Sequence, residues 1–515
     1  MANQDVTDYL LQGSGREDGL LGSKSIGSID YKPKTGYWVR FKSNTLGTYY
    51  TANAVTDSTG IFIINAVPTN DDYSVQISQT NPLPAGVDWT TIYRNYVSLS
   101  VGAVSSDAAL ADGSSKGYRP ADIVPVDILF SGQTSGAGSL TFGGGGADDT
   151  VDIALGTRSR SITTNGAGAQ ATISATFGAA LNLTGKCLVV WMKRTNLSSW
   201  LTGYPRLFLG DAGLTNVYFW KLAGGSIQPY EMDGEWIRLT LPFGTAFTTG
   251  APSRASLAAL TIQVFDNSTG PVTFKLGGLM TMAEAAQWPN GVVSLTFDDG
   301  YLSQYTTARP YLDKYGYRGT AYVITETLWN HANFPGYFSL AQAQQLELGG
   351  WEIATHAYTA ANHNAGYVSI GDTAALSDMQ SGKAYLLQQG FKAPEQFSYP
   401  LGAFQAGTIT NVARIFGTGR TISLTGSFPD ETFPPANLTR LKAYPVSAAS
   451  GIALAQTYIT QAAANKEWLI LLIHDVLTSA SGSLQLSTAN FQTLIDSLNS
   501  AGLPVRPISE VLKSG

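Results

Sequence analysis

An apolar run that ends in two adjacent carboxylates is the feature that most limits how this chain can fold. Residues 291–300 read GVVSLTFDDG, so an apolar stretch leads directly into Asp298, Asp299 and Gly300. The stretch predicts a buried strand. Two neighbouring carboxylates at its end repel each other and are costly to desolvate, so they need a cation, a shared proton or water. A solvated turn or a calcium-binding loop is the alternative interpretation.

From residue 287 to residue 515, strand-length apolar runs alternate with helical stretches. The runs include VVSLTF, TAYVI, WEIATHA and WLILLIHDV. Such alternation predicts a parallel α/β domain. An open sheet of this class would carry a phosphate-binding glycine loop after its first strand. Because none follows Gly300, we predict a barrel-like arrangement.

Two β-rich regions precede this domain, so we predict a multidomain chain. Residues 31–111 contain short alternating runs with turn residues at 57–60, which predict a small sandwich of immunoglobulin-like or transthyretin-like type. Residues 127–286 contain about eight strand-length segments, which predict a jelly roll resembling a carbohydrate-binding module. We interpret residues 1–30 as a flexible arm or attachment segment and residues 112–126 as a linker.

Composition narrows the functional classes. Only 13% of residues are charged and 55 are glycine, which is typical of β-rich extracellular or virion proteins. The net charge is −6 without a Lys/Arg cluster, so we predict no nucleic-acid partner. No run of about 20 apolar residues occurs, and we predict no membrane insertion and no signal peptide. The single cysteine, Cys187, excludes a thiolate zinc site.

Further polar side chains follow the predicted parallel strands at the point where each strand ends. His356 closes WEIATH, YPLG at 399–402 closes the next run, and His474 closes LILLIH. Three of the four histidines, His356, His363 and His474, lie at or just after strand ends. Since the loops at the carboxyl ends of barrel strands carry the chemistry, we expect these groups to gather near the aspartate pair.

These motifs resemble the polysaccharide deacetylases with the NodB-type domain, carbohydrate esterase family 4. The resemblance covers residues 288–515, and the family's first motif, TFDDG, is present unaltered at 296–300. It implies a distorted parallel (β/α) barrel in which Asp298 is the catalytic base and Asp299 binds a divalent metal. The strand ending in His474 implies that His474 is the general acid. The backbone N–H of Leu401 corresponds to the family's oxyanion donor.

The second family motif is altered here. The family has two metal-ligating histidines four residues apart, whereas this chain has His356, then Ala360 at that spacing, and His363 only seven residues along. We predict that a short loop insertion brings His363 into the usual place. The alternatives are a two-residue protein site completed by water, or loss of tight metal binding. Zinc is the metal most expected, and cobalt, nickel and manganese accept the same ligands.

The third motif also departs from the family. Ser398 stands where relatives carry an arginine that pairs with the base. Arg420 and Arg440 are the candidates for the missing cation.

Candidate substrate-binding residues lie in the loops after the predicted strands, where aromatic rings could stack on sugars. They are Trp329, His331, Tyr358, Tyr399 and Pro400. A plain loop residue is the alternative for His331. In the second β-rich region three aromatic residues are expected in the core, with sugar stacking as the alternative: Tyr218, Trp220 and Trp236.

The sequence therefore predicts a metal-dependent hydrolase that removes N- or O-acetyl groups from a bacterial surface polysaccharide, such as capsule or O-antigen. The β modules and the predicted arm resemble a bacteriophage tail protein. That resemblance implies a virion location, contacts with other tail proteins through the N-terminal segment, and a homotrimer. Two alternatives stay open. One is a catalytically degenerate domain that binds glycan, and the other is a secreted, extracellular bacterial deacetylase.

Overall fold

A computed structural model describes residues 125–133, 139–223, 231–284, 288–391, 395–422, 430–433 and 435–513 in full, and only strand backbones within residues 1–124. The chain divides into two units. The first comprises Met1–Gly102, Phe297–Thr306 and Thr320–Gly419, and the second comprises Ala103–Thr296, Thr307–Gly319 and Arg420–Gly515. The predicted turn at 57–60 and most of the predicted linker lie outside the described residues. The predicted domain boundaries stay predictions.

The first unit opens with short antiparallel strands. They are β1 (Asn3–Tyr9), β2 (Leu11–Gln12), β3 (Lys32–Pro33), β4 (Trp38–Ser43), β5 (Tyr49–Thr51), β6 (Ile61–Pro68), β7 (Asp72–Ser78) and β8 (Thr90–Val97). Strands β5-β4-β7-β8 form one sheet in that order, β1 pairs with β6, and β2 pairs with β3. The region is β-rich as predicted, while the type of sandwich stays a prediction.

The second unit contains two antiparallel sheets. Their strands are β9 (Asp127–Phe130), β10 (Phe142–Gly144), β11 (Ala147–Asp149), β12 (Ser159–Thr163), β13 (Gln170–Leu181), β14 (Lys186–Thr195), β15 (Arg206–Gly210), β16 (Val217–Lys221), β17 (Trp236–Leu241), β18 (Phe247–Thr249), β19 (Leu257–Phe265) and β20 (Thr273–Ala283). One sheet has the order β10-β13-β19-β15-β16-β18. The other has the order β11-β12-β20-β14-β17, with β9 beside β20. The jelly-roll assignment stays a prediction.

Strand β14 shows why these sheets pack together. Leu188 and Val190 enter a core shared with residues of the other sheet, because alternate side chains of a strand point to one face. Trp191, on the opposite face, packs in a second cluster with Trp236. Trp220 is fully buried in the shared core. Burial of the two tryptophans Trp220 and Trp236 agrees with the core interpretation and removes sugar stacking as a role for them.

The remaining strands and helices alternate along the chain. The strands are β21 (Val292–Asp299), β22 (Gly319–Ile324), β23 (Glu352–Ala357), β24 (Gln396–Ser398), β25 (Thr418–Arg420), β26 (Asp430–Glu431), β27 (Tyr444–Pro445), β28 (Trp468–Ile473), β29 (Asp475–Leu477) and β30 (Gln485–Ser487). The helices are α1 (Arg309–Asp313), α2 (Glu326–Trp329), α3 (Leu340–Leu348), α4 (Ala360–Ala365), α5 (Tyr367–Ile370), α6 (Asp372–Gln388), α7 (Ala406–Ile415), α8 (Ala453–Asn465), α9 (Thr488–Ala501) and α10 (Ile508–Lys513). Among the described residues, none of the helices has the length and hydropathy that a membrane span requires.

The strand order brings several strand ends to one edge. In the first unit the order is β25-β24-β23-β22-β21, and β23 is parallel to both of its neighbours. In the second unit β28 lies beside residues 292–296 of β21, with β27 parallel and β26 antiparallel to it. The alternation agrees with the predicted α/β domain, and this order fits a distorted, incomplete barrel.

The second unit also buries three carboxyl groups beside one lysine. Asp430, Glu431, Glu467 and Lys442 are each buried. The Lys442 ammonium donates to the Asp430 carbonyl oxygen at 2.6 Å, and the Lys442 backbone N–H donates to Glu431 Oε1 at 2.7 Å. Burial is the largest cause that raises the pKa of all three carboxyls, and it raises the pKa of Glu467 to about 7. The cluster therefore retains protons well above the usual range for carboxyl groups.

We expect the free energy of unfolding to fall as the pH rises from about 4.5 to about 7, and to level off above that. Folded Glu467 binds its proton more tightly than the unfolded residue, so its contribution is complete below the ordinary pKa of 4.5 and is lost above the folded pKa. The shift corresponds to about 3 kcal/mol. Urea unfolding followed by tryptophan fluorescence between about pH 4 and about pH 9 measures this loss. A Glu467→Gln variant should show a flatter profile, and parallel profiles would contradict the prediction.

Candidate metal centre

The aspartate pair forms the end of β21, directly before the turn at Gly300. Residues 292–299 are all buried, and the Gln304 side-chain amide donates to the Asp298 carbonyl oxygen at 2.6 Å. Asp299 has a φ of +71°, a left-handed conformation that costs a non-glycine residue about 1–3 kcal/mol. Gly300 follows with a φ of +90°, which glycine adopts without that cost. Strained residues of this kind cluster at functional sites.

His356 lies in β23, one residue before the strand ends, and is buried. Its Nδ1 is 2.8 Å from the backbone carbonyl oxygen of Ser398. A carbonyl oxygen only accepts hydrogen bonds, so we assign the ring hydrogen to Nδ1. The other ring nitrogen, Nε2, then presents a lone pair, which is the arrangement found in metal-ligating histidines.

His363 lies on the short helix α4, which follows β23. Its Nδ1 is 3.2 Å from the side-chain oxygen of Asn364, so the same assignment leaves a lone pair on Nε2. Burial lowers the pKa of His363. The neutral imidazole, the form that binds metals, is therefore favoured at neutral pH.

Three ligand atoms of the first unit converge on one point. His356 Nε2 and His363 Nε2 are 3.0 Å apart, and Asp299 Oδ1 is 3.2 Å from His363 Nε2 and 3.6 Å from His356 Nε2. A tetrahedral zinc ion with bonds of 2.0–2.1 Å separates its ligand atoms by about 3.3 Å. Two lone pairs and a carboxylate facing each other at these distances fit a divalent cation. Asp299, His356 and His363 are thus the residues that could hold one.

Asp298 lies next to this cluster. Its Oδ2 is 3.6 Å from His356 Nε2 and 3.5 Å from the Ser398 hydroxyl. The two arginines considered as replacements for the family's arginine are both in the second unit. Arg440 forms an ion pair with Glu235, and Arg420 donates to the carbonyl oxygen of Thr421 at 3.3 Å.

The loop after β24 contains a second strained residue. Pro400–Gly402 forms one helical turn in which Leu401 has a φ of +60° and is 61% exposed. Tyr399 and Pro400 are buried, and the Tyr399 ring packs against Phe397 and Phe404. Their predicted contact with substrate and the predicted oxyanion role of the Leu401 N–H stay predictions.

Two predicted substrate-binding aromatics lie together in the first unit. Trp329, at the end of α2, is 44% exposed, and its ring is 6.0 Å from that of Tyr358, two residues after His356. His331 follows in a short helical turn, His331–Asn333. The predicted roles of all three in binding sugar stay predictions.

His474 follows directly after β28 in the second unit and is partly exposed. Its predicted role as general acid stays a prediction.

The sequence did not predict the two hydrogen-bond partners that orient the histidines. The Ser398 carbonyl orients His356, but the sequence draws attention to Ser398 only as the position of a missing arginine. The Asn364 side chain orients His363. The position of Asn364 directly after a histidine is only a weak indication of this role. The Ser398 contact uses a backbone carbonyl, which every residue has, so the sequence does not indicate it.

Comparison with known families identifies this region. Residues 286–418 match the family described as polysaccharide deacetylase. The chain therefore contains a polysaccharide deacetylase domain, from a class of hydrolases that remove acetyl groups. The matched range includes the aspartate pair, both clustered histidines and the Ser398 loop. The predicted resemblance is confirmed over residues 286–418, and so is the predicted enzyme class, while the predicted extent of the domain to residue 515 stays a prediction.

Solved structures similar to this chain include deacetylases from several sources. The deacetylase PplD of Streptococcus pyogenes is 23% identical, with 30% of this chain and 64% of that protein covered at a TM-score of 0.25. The Xyl-CE4 domain of a multidomain xylanase from the hindgut metagenome of Trinervitermes trinervoides is 17% identical. The match covers 43% of this chain and 89% of that domain at a TM-score of 0.27. Peptidoglycan deacetylase PdaC of Bacillus subtilis is 14% identical. The match covers 44% of this chain and 92% of that protein at a TM-score of 0.29. The match thus spans under two thirds of the length of PplD. No curated protein matches the chain.

Proposed function

We propose that this protein is a metal-dependent deacetylase that hydrolyses N- or O-acetyl groups of a bacterial surface polysaccharide, such as capsule or O-antigen. The observation that carries the proposal is the convergence of two histidine lone pairs and the Asp299 carboxylate within 3.0–3.6 Å of one another. The match of residues 286–418 to polysaccharide deacetylases supports the reaction class.

The chemistry follows from the side chains around this point. A divalent ion bound there supplies a Lewis acid and lowers the pKa of bound water toward about 7. Asp298, beside the ligand cluster, is the proposed base that accepts a proton from the attacking water. The backbone N–H of Leu401 is the proposed donor to the oxyanion that forms on the acetyl carbonyl. Trp329 and Tyr358 are the proposed contacts for sugar rings.

Zinc is the metal we propose, because a tetrahedral ion fits the three ligand separations and because His/Asp ligands suit it. Cobalt, nickel and manganese accept the same ligand types and are the alternatives.

Removal of the metal tests the proposal. The full chain, stripped with a chelator, should release no acetate from acetylated bacterial polysaccharides, and one equivalent of zinc should restore release. Acetate is measured with a coupled assay, and zinc by elemental analysis. A protein that binds zinc but releases no acetate from any acetylated glycan would support the glycan-binding alternative instead.

We further propose that the protein is a bacteriophage tail component located in the virion, with the N-terminal segment contacting other tail proteins and the chain forming a homotrimer. The β-rich N-terminal region and the low content of charged residues, 13%, support this assignment. Detection of the chain in purified virions, together with its mass in solution, tests it. Its absence from virions would favour the secreted bacterial deacetylase.

A further inference from the structure

The short helix that carries His363 contributes no buried residue to the apolar core. Helix α4 has six residues, and none of them is buried. Isolated helices shorter than about 12 residues are marginal in water. In the segment 358–367, which includes α4, the Tyr367 ring is buried against Phe397, and polar contacts hold the residues between Tyr358 and Tyr367.

One carboxylate receives most of those contacts. Asp378, on helix α6, is 4% exposed. Four donors of the segment bond to it. Its Oδ1 accepts from the Tyr358 backbone N–H at 2.7 Å and from the Tyr367 hydroxyl, and its Oδ2 accepts from the Asn362 amide at 2.6 Å and from the Thr359 hydroxyl at 3.3 Å.

These four donors lie on both sides of His363 in the chain. An ionised carboxylate has about four acceptor sites, so the segment fills them. Burial and the neighbouring Asp378 carboxylate raise the pKa of Tyr367 well above its ordinary value, and its hydroxyl therefore remains a donor. A buried carboxylate held by such a set of donors favours one arrangement of the segment over others.

The other polar contacts described here lie at the start of the segment, while the Tyr367 ring anchors its end in the apolar core. The Glu326 carboxylate accepts from the Ala360 backbone N–H at 2.8 Å. The Thr359 hydroxyl caps α4 by accepting from the Asn362 N–H at 3.2 Å. Among these acceptors, Asp378 is the one that contacts residues both before and after His363.

We propose that Asp378 is the positioning residue that holds His363 at ligand distance from His356 and Asp299. It would thereby allow two histidines seven residues apart to serve one metal ion. The inference rests on the proposed metal site. Asp378 itself does not touch the ion or the substrate; it acts through the segment 358–367.

The test is the affinity of the full chain for zinc alone, measured by competition with a chelator of known affinity. In Asp378→Asn one acceptor oxygen is replaced by an amide NH2 that only donates, so the two groups that bonded to that oxygen must reorient or lose their hydrogen bond. We expect the affinity for zinc to fall about 10–100-fold, as for other residues that orient metal ligands. The absorption spectrum of the cobalt-loaded protein should also change, because it reports the set of ligand atoms.

Two controls separate positioning from general destabilisation. Asp372→Asn changes an acid of the same helix whose carboxylate bonds to Gln405 instead, and it should leave zinc affinity unchanged. In a His363→Ala background, Asp378→Asn should lower zinc affinity by less than about threefold, since the residue that it positions is already gone. An equal fall in both backgrounds would overturn the inference, as would unchanged affinity in Asp378→Asn itself.

If Asp378→Asn does not fold, Tyr367→Phe removes only one of the four donors. It should give a smaller fall in zinc affinity, again only when His363 is present. Failure of this inference differs from failure of the proposed function. A wild-type chain that binds no zinc refutes the metal site, whereas a wild-type chain that binds zinc as tightly as Asp378→Asn refutes only the role of Asp378.

Discussion

Removal of the Asp299 carboxylate is expected to abolish both zinc binding and acetate release. Asp299 Oδ1 lies 3.2 Å and 3.6 Å from the two histidine nitrogens and supplies the only negative charge among the three ligand atoms. Without it, two neutral imidazoles would remain to hold a doubly charged ion. Substitution of a residue that only orients a metal ligand lowers metal affinity roughly 10–100-fold. We expect Asp299→Ala, which removes a ligand, to lower zinc affinity by more than this.

The neighbouring carboxylate provides the contrast. Asp298→Asn keeps the size of the side chain and leaves the three ligand atoms in place, but it removes the proposed base. We expect zinc binding to persist while the rate of acetate release falls about 10²–10⁴-fold. Full activity in either variant would refute its assigned role.

Backbone strain calls for one additional control at position 299. Because Asp299 has a φ of +71°, alanine there is strained, and Asp299→Ala could lose zinc through misfolding. Asp299→Gly relieves that strain and also removes the carboxylate. Loss of zinc in a well-folded Asp299→Gly protein, checked by thermal unfolding, would assign the effect to the ligand.

The second large effect is expected at His363. His363→Ala removes one of the two imidazole nitrogens of the cluster, which lies 3.0 Å from the other. We expect zinc affinity to fall by at least about 100-fold, and activity to fall with it at limiting zinc. Zinc titration and acetate release measured on the same preparation check the two together.

His331→Ala is the matched control for His363→Ala. Both histidines lie in helical turns after strands, but His331 is not among the clustered ligands of the described residues. Its removal should leave zinc affinity unchanged. Unchanged affinity in His363→Ala would instead favour the site of two protein ligands completed by water.

The local parts of the site could be predicted from the sequence. The run before Asp298 is mostly apolar, which predicts a buried strand, and β21 is buried throughout, including Ser294 and Thr296. His356 lies at the end of another predicted strand, WEIATHA. The parallel order of β22, β23 and β24 brings it to the edge of the sheet where the aspartate pair lies. Strand patterns and the chemistry of the residue types were sufficient here.

The contacts between distant segments could not be predicted in this way. His363 was expected near the site from its place just after a strand end and from the second family motif. No pattern in the segment 358–367, however, indicates the Asp378 carboxylate that receives its donors. The left-handed backbone of Asp299 also has no signature, since aspartate usually adopts other conformations. Such features depend on tertiary contacts, which a single sequence does not display.

Two of the left-handed non-glycine residues, Asp299 and Leu401, restrict how the protein could be engineered for heat tolerance. Glycine is the usual replacement that relaxes such a backbone. At position 299 it would delete a ligand of the proposed ion, and at position 401 it would loosen the turn whose N–H is the proposed oxyanion donor. Stabilising substitutions should therefore be sought in the antiparallel sheets formed by β9–β20, whose strands include neither residue.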